Sequence, residues 1–377
     1  MNLYNVYPLF DITPIKGEGS YLWDAEGQKY LDLYGGHAVI SIGHTHPHYV
    51  KRITEQLNKI GFYSNSIKNP IQSELSDKLG AISGYMDYQL FLCNSGAEAN
   101  ENALKLASFA SGRKKVIAFN KSFHGRTSGA VAATDNPKIV SSFNTGHEVE
   151  FIPLNDKEAA DKAINEEVAA VIIEGIQGVG GIQFPENDFL AFLRKKCDAA
   201  GSYLILDEVQ SGYGRSGYFF AHQSAEIKPD LITTAKGMGN GFPIGGVLIH
   251  PKIKPWAGQL GTTFGGNYLA CVAGLAVLEV IEEERLIQNA EKLGKYLLQE
   301  LKSFSSLENV RGRGLMIGFN LPENLLGLRN DLLYKYKIFT GAAGKEVIRL
   351  LPSLGLRKKE ADEFLEGLSD ALKNSKQ

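Results

Sequence analysis

Two apolar runs, each stopping on a charged side chain, constrain this chain most. Tyr203-Leu204-Ile205-Leu206 ends on Asp207, and Leu231-Ile232-Thr233-Thr234-Ala235 ends on Lys236, 29 positions after Asp207. A parallel α/β sheet delivers polar residues to the carboxyl ends of its strands, where ligands bind. The pattern recurs along the chain. QLFLCN (89–94), KVIAFN (115–120), VEFIPL (149–154), AAVIIE (169–174) and GGVLIH (245–250) read as further strands. Helical stretches such as GAEANENALKLASFA (96–110), with Ala103, Leu104 and Ala107 on one side, and DFLAFLRKKCDAA (188–200) lie between them. This alternation specifies an α/β fold with a large, mostly parallel sheet. YLWDAEGQKYLDL (21–33) reads as a hairpin turning at Glu26-Gly27. After residue 267 one long helical pattern runs through LEVIEEERLIQNAEKLGKYLLQELKSF, and VRGRGLMIGFNL (310–321) with a last helix from Lys359 forms a smaller α+β unit.

Composition narrows the function classes. A chain of 377 residues that is 44% hydrophobic and 22% charged is long enough for two or three domains' worth of core and has a soluble globular make-up. Its net charge of −2 lacks the basic excess of a nucleic-acid or membrane footprint. Cys93, Cys197 and Cys271 have no metal spacing and sit in apolar stretches, as reduced cytosolic cysteines do. The opening MNLYNVYPLFDITP has neither a basic start nor a continuous apolar core, so no export signal is expected. No apolar run approaches the roughly 18 residues of a membrane span.

Several motifs bear chemistry. An acid and an amine at neighbouring strand ends suit pyridoxal 5′-phosphate (PLP): the lysine condenses with the aldehyde, and the acid pairs with the pyridine nitrogen so that the ring accepts electrons. The same two residues also read as a buried ion pair or as unrelated surface groups. NSGAEAN (94–100) joins a strand to a helix, and the free N–H groups of Ser95, Gly96 and Ala97 at a helix start form an anion site, or merely an ordinary cap. In FHGR (123–126), Phe123 or His124 can stack on a planar ring and Arg126 can clamp a carboxylate; a core Phe and a surface Arg read equally simply. His44, His46 and His48 alternate, but no adjacent Cys, Asp or Glu completes a zinc set, so no metal is expected. GYGRSG (212–217) matches the dinucleotide fingerprint of a nicotinamide-dependent dehydrogenase. Its context fails: YFFAHQ follows rather than a helix, and no strand ends on an acid about 20 residues on.

Taken in order, NSGAEAN, FHGR, EGIQG, DEVQSG, TTAKGMGNG, GTTFGGN (261–267) and RLLPSL (349–354) resemble the class III PLP-dependent aminotransferases, in particular those acting on N-acetyl- and N-succinylornithine. The resemblance covers nearly the whole chain. It implies the PLP fold type I, with a large cofactor domain (51–267), a small domain built from both chain ends (1–50 and 268–377), and a cytoplasmic homodimer with active sites at the interface. It implies that Lys236 is the cofactor-bound lysine and proton shuttle, that Asp207 pairs with the pyridine nitrogen, that Gln210 borders the phenolic oxygen, and that Phe123 stacks on the ring. Ser95, Gly96 and Ala97 would hold the phosphate, joined by Thr263 of the neighbouring subunit, with His124, Glu174 and Val209 around the cofactor. Arg126 would bind an amino-acid carboxylate and Arg349 the α-carboxylate of glutamate or 2-oxoglutarate, with Tyr7, His37 and Val179 also facing substrate. The implied reaction moves the terminal amino group of an N-acylornithine to 2-oxoglutarate in arginine biosynthesis; plain ornithine, another ω-amino donor or an aminomutase remain alternatives. Two departures bear on the donor. Gly175 and Val179 stand where the family's EPIQGEGG has a proline and a gating glutamate, and His37 stands where relatives vary with substrate.

Overall fold

The computed structural model describes residues 1–375. Its centre is a seven-stranded sheet ordered Gln89–Cys93, Gly245–Ile249, Leu231–Thr234, Tyr203–Asp207, Val168–Glu174, Lys115–Phe119, Val149–Ile152. All neighbours are parallel except Gly245–Ile249, which runs antiparallel to both of its partners. The strand Val168–Glu174 is buried along its whole length, as expected of an interior parallel strand rich in Val and Ile. Its side chains alternate between two cores. Val171 and Ile173 join Phe119, Leu204 and the helix residues Phe189, Leu190 and Leu193 on one face. Ala170 and Ile172 join Ile205, Val247 and the helix residues Ala99, Ala103 and Leu106 on the other. The sheet is thus sandwiched between Asn187–Ala200 and Gly96–Ser111.

The helix Gly96–Ser111 positions the site. Its inward stripe is Ala99, Asn100, Ala103, Leu106 and Ala107, with Leu104 at the flank rather than at its centre. Small residues on this stripe let the helix start lie close to the strand ends.

The chain termini form two smaller sheets. The hairpin Tyr21–Asp24 and Lys29–Asp32 turns at Gly27 and takes Ile338–Phe339 as a parallel partner, joining the first and last parts of the sequence. Glu308–Arg313, Met316–Asn320, Val347–Leu350 and Gly341–Ala343 make an antiparallel sheet that carries Arg349. The single long helix expected after residue 267 is two helices, Tyr268–Glu283 and Leu286–Ser303, broken at Arg285 in the left-handed region (φ 53). Glu282, Glu283 and Glu284 are exposed, so nothing apolar anchors the chain across the break. No helix among the described residues is long and apolar enough to cross a membrane.

The GYGRSG segment forms turns, not the start of a helix. Arg215 within it is buried and donates through Nη1 to the carbonyls of Leu315 (3.1 Å) and Pro352 (2.8 Å), tying this loop to the Arg349 sheet. The three histidines of 44–48 diverge, each to a different acid: His44 to Asp32, His46 to Glu284, His48 to Glu279.

Candidate active site

Register brings two carboxylates together. Glu174 and Asp207 are paired residues at the carboxyl ends of adjacent parallel strands. Asp207 Oδ2 accepts from Asn100 Nδ2 and from His124 Nδ1, both at 2.7 Å, and its Oδ1 accepts from the Val209 amide at 3.0 Å. Asn100 is itself fixed, donating to the His124 carbonyl (2.7 Å) and accepting from the Thr233 hydroxyl (2.6 Å). Asp207 is therefore aimed by side chains from a helix, a loop and the next strand. His124 Nε2 is buried with no partner among the described residues. Glu174 accepts from the amides of Phe123 and Gly178, both at 3.0 Å. Burial, with Asp207 adding to it, pushes Glu174 up to about 7.

Lys236 follows the strand Leu231–Thr234 and opens a short 3-10 turn, Lys236–Met238, at φ 46. A lysine in the left-handed region is uncommon, and such strain gathers at functional sites. Burial lowers its amine below the ordinary lysine value and Arg349 adds to this, while Asp207 and Glu174 act in the opposite direction.

Opposite these strand ends lies the start of the helix Gly96–Ser111. Ser95 Oγ accepts from the Glu98 amide as the N-cap. The amides of Gly96 and Ala97 have no acceptor among the described residues, which leaves donors and the positive helix end for an anion. Gly96 is required by packing: a Cβ there would meet Val209 Cγ1 at 2.5 Å.

These groups line an open cavity of about 370 Å³. It brings together Ser95, Gly96, Ala97, Phe123, His124, Arg126, Glu174, Val179, Asp207, Val209, Gln210 and Lys236. His37 and Arg349 adjoin it without lining it. The His37 carbonyl accepts from Gln210 Nε2 at 3.1 Å, and Gln210 Oε1 is buried without a partner. Thr263 and Tyr7 are exposed and do not line the cavity of this chain. Sequence reasoning missed Asn100 and Thr233. Asn100 had a signal, as an amide on the otherwise apolar stripe of its helix. Thr233 had none within its own strand.

A family model described as Aminotransferase class-III matches residues 5–372. The chain belongs to the class-III aminotransferases. Among its relatives, the acetylornithine aminotransferase of Archaeoglobus fulgidus is 43% identical over 93% of this chain and 93% of the relative. That of Nitrosomonas europaea is 40% identical over 98% and 96%. A solved structure of Toxoplasma gondii ornithine aminotransferase, with PLP partly occupying its active site, superposes with a TM-score of 0.90 at 28% identity, covering 98% of this chain and 92% of that one.

Class-III aminotransferases use PLP, and the residues of this cavity fit it. The free helix-start amides suit the phosphate, the three-bonded Asp207 suits the pyridine nitrogen, Phe123 suits a ring face, and Lys236 supplies the amine. The dehydrogenase reading of GYGRSG is thereby displaced.

Proposed function

We propose that this aminotransferase moves the terminal amino group of an N-acylated ornithine to 2-oxoglutarate, giving glutamate and the acylated semialdehyde, as a step of arginine biosynthesis. What carries the reading is Asp207 and Lys236 meeting in one cavity of a chain that is 43% identical to an acetylornithine aminotransferase across 93% of both.

PLP, when bound, supplies an aldehyde that takes up the amino group and a ring that accepts electrons. The cavity supports the following roles. Asp207, held by Asn100, His124 and Val209, presents its carboxylate to the pyridine nitrogen. Gly96 and Ala97 would donate to the phosphate, with Thr263 of a second subunit completing that grip. Phe123 and Val209 would hold the ring, and Gln210 would lie near its phenolic oxygen. Lys236 Nζ removes a proton from the carbon bearing the reacting amine and later returns one. Burial lowers its pKa, which enlarges the neutral fraction this requires. Arg126 at the cavity mouth takes the donor's carboxylate, and Arg349 takes the α-carboxylate of the acceptor. Val179 and His37 border the space left for the donor, and Tyr7 serves a neighbouring site.

These assignments go with a homodimer in the cytoplasm, a cofactor domain over 51–267 and a smaller domain from 1–50 and 268–377. No nucleic acid, membrane or metal enters the reading. The test is a donor panel of ornithine, N-acetylornithine and N-succinylornithine with 2-oxoglutarate. An acylated donor should exceed ornithine in kcat/KM by at least about tenfold; preference for free ornithine would replace this reading by the ornithine one.

A further inference from the structure

Two arginines are tied to one short stretch of backbone beside the cavity. Arg349 Nε donates to the Ala342 carbonyl at 2.9 Å, and Arg329 Nε to the Thr340 carbonyl at 3.3 Å. Between those carbonyls lies Gly341, the cross-strand partner of Arg349. The Tyr34 ring leans on Gly341, where a Cβ would come within 2.9 Å of Cδ2. Tyr34 in turn places its hydroxyl 2.6 Å from the His37 ring. The cluster thus holds two guanidinium groups, a phenol and an imidazole, drawn from both chain ends.

It contains no acid. Among the described residues neither Arg329 nor Arg349 has a carboxylate within ion-pair distance. Arg349 is 3% exposed and its Nη1 has no hydrogen-bond partner, nor has the buried Thr340 Oγ1. Guanidinium does not shed its proton, so a buried Arg349 with a half-buried Arg329 acting on it leaves a positive site lacking its anion. No neighbour supplies one in contact: Glu174 acts on Arg349 and Asp32 on Tyr34 without an ion pair to either arginine, burial and both arginines hold His37 below the ordinary histidine value, and burial raises Tyr34.

We propose that Arg329 is a second cation of the subsite headed by Arg349, and that it selects for a carboxylate directly attached to the reacting carbon. The inference rests on the acceptor role given to Arg349 above. The two half-reactions differ at this point. The acceptor's carbonyl is flanked by a carboxylate, whereas the donor's reacting amine sits on a terminal carbon that carries none. A cation pair with no internal counter-ion therefore serves the acceptor half-reaction alone.

Steady-state kinetics of Arg329→Gln, Arg329→Lys and Arg349→Gln, with glutarate as a competitive inhibitor, test this. Arg329→Gln should raise KM for 2-oxoglutarate and Ki for glutarate about tenfold, the equivalent of one charge-assisted bond, and leave KM for the donor within about twofold. Arg329→Lys should restore most of the loss, since a point charge survives without the planar fork. Arg349→Gln should raise both acceptor constants about a hundredfold or more. If Arg329→Gln leaves the acceptor constants unchanged while Arg349→Gln raises them, the proposal fails and the acceptor subsite stands. If Arg329→Gln raises donor and acceptor KM together, or lowers the melting temperature without splitting them, Arg329 is structural and the proposal is overturned. If Arg349→Gln leaves 2-oxoglutarate binding intact, the reading of Arg349 itself is at fault.

Discussion

Gly175→Ala is the most informative single-atom perturbation of this fold. Glycine occupies this position although its φ is outside the left-handed region, so the backbone alone would accept alanine, usually with a small gain of about 0.4–1 kcal/mol. Space forbids it. A Cβ on Gly175 would lie 2.5 Å from Glu208 Oε1, 2.8 Å from its Cδ and 2.9 Å from Oε2. Glu208 is 1% exposed and its carboxylate is held by Ser211 Oγ (2.6 Å), the Ala221 amide (3.0 Å), the His222 amide (2.9 Å) and His222 Nδ1 (2.7 Å). Retreat by about an ångström, to ordinary contact, takes one or two of these bonds out of range. At about 1.5–3 kcal/mol for each bond to a charged group, the net cost is about 2–5 kcal/mol. Asp207 precedes Glu208 and the Gly175 amide donates to the Asp207 carbonyl at 3.0 Å, so activity should fall as well. Urea unfolding of wild type, Gly175→Ala, Glu208→Asp and the double variant is the assay. The shorter aspartate vacates the space, so Gly175→Ala should be nearly neutral in the Glu208→Asp background, a coupling of at least about 2 kcal/mol. Additive effects, or a Gly175→Ala protein within about 0.5 kcal/mol of wild type, would refute the reasoning.

Other consequences can be checked separately. Lys236→Ala should lower turnover by at least about 10³-fold while the fold survives, measured as steady-state rate and circular dichroism. Glu174, raised from 4.5 to about 7 in the folded protein, contributes stability that is full below about pH 4.5 and lost as pH rises through about 7. That rise amounts to about 3 kcal/mol over the whole range, so the stability gap between cofactor-free wild type and Glu174→Gln should shift in favour of the variant by about 2.5 kcal/mol between pH 5 and 8; parallel unfolding profiles would exclude it. Val179, 46% exposed at the cavity, offers no carboxylate to Arg349, which has no ion pair among the described residues. Val179→Glu should offer Arg349 a competing carboxylate and raise KM for 2-oxoglutarate about threefold to tenfold while donor KM stays within about twofold, and an unchanged acceptor KM would contradict this role. If Thr263 completes a neighbour's phosphate grip, dilution to monomer should release PLP, seen by gel filtration with absorbance detection.

Chain segments that carry their own punctuation were legible. Asp207 and Lys236 end apolar runs, and the sheet delivers both to one cavity for that reason. The helix start at Ser95–Ala97 was legible from its small residues and cap. The break at Arg285 was not, because its flanks keep helical periodicity and only the exposed acidic triplet marks it. Nor was the antiparallel direction of Gly245–Ile249, since periodicity carries no sense of direction. Arg329 was invisible for another reason. Its meaning comes from Tyr34, almost 300 residues away, and from the unpaired neighbour Arg349, and no local pattern records a missing counter-ion.

The site's two carboxylates differ through their donors and exposure to each other. Glu174 and Asp207 occupy equivalent places in adjacent strands. Asp207 receives three hydrogen bonds, two of them from side chains. Glu174 receives two, both from backbone amides; burial, with the like charge of Asp207 beside it, raises it to about 7. Their different donors divide their labour. Asp207 is directed at one point by groups that cannot rotate away. Glu174 instead clamps the two loops that follow neighbouring strands, through Phe123 and Gly178, and so fixes Phe123 at one wall of the cavity and the Val179 turn at another. Near neutral pH it can do so while carrying a proton for part of the time, which keeps a second full negative charge away from Asp207. The positive charge on the far side is uncompensated in the same measure: Arg349 and Arg329 have no acid of their own. The cavity is thus polarised, with its carboxylates gathered at the strand ends in Glu174 and Asp207 and its positive charge on the side of Arg349, and Lys236 feels both.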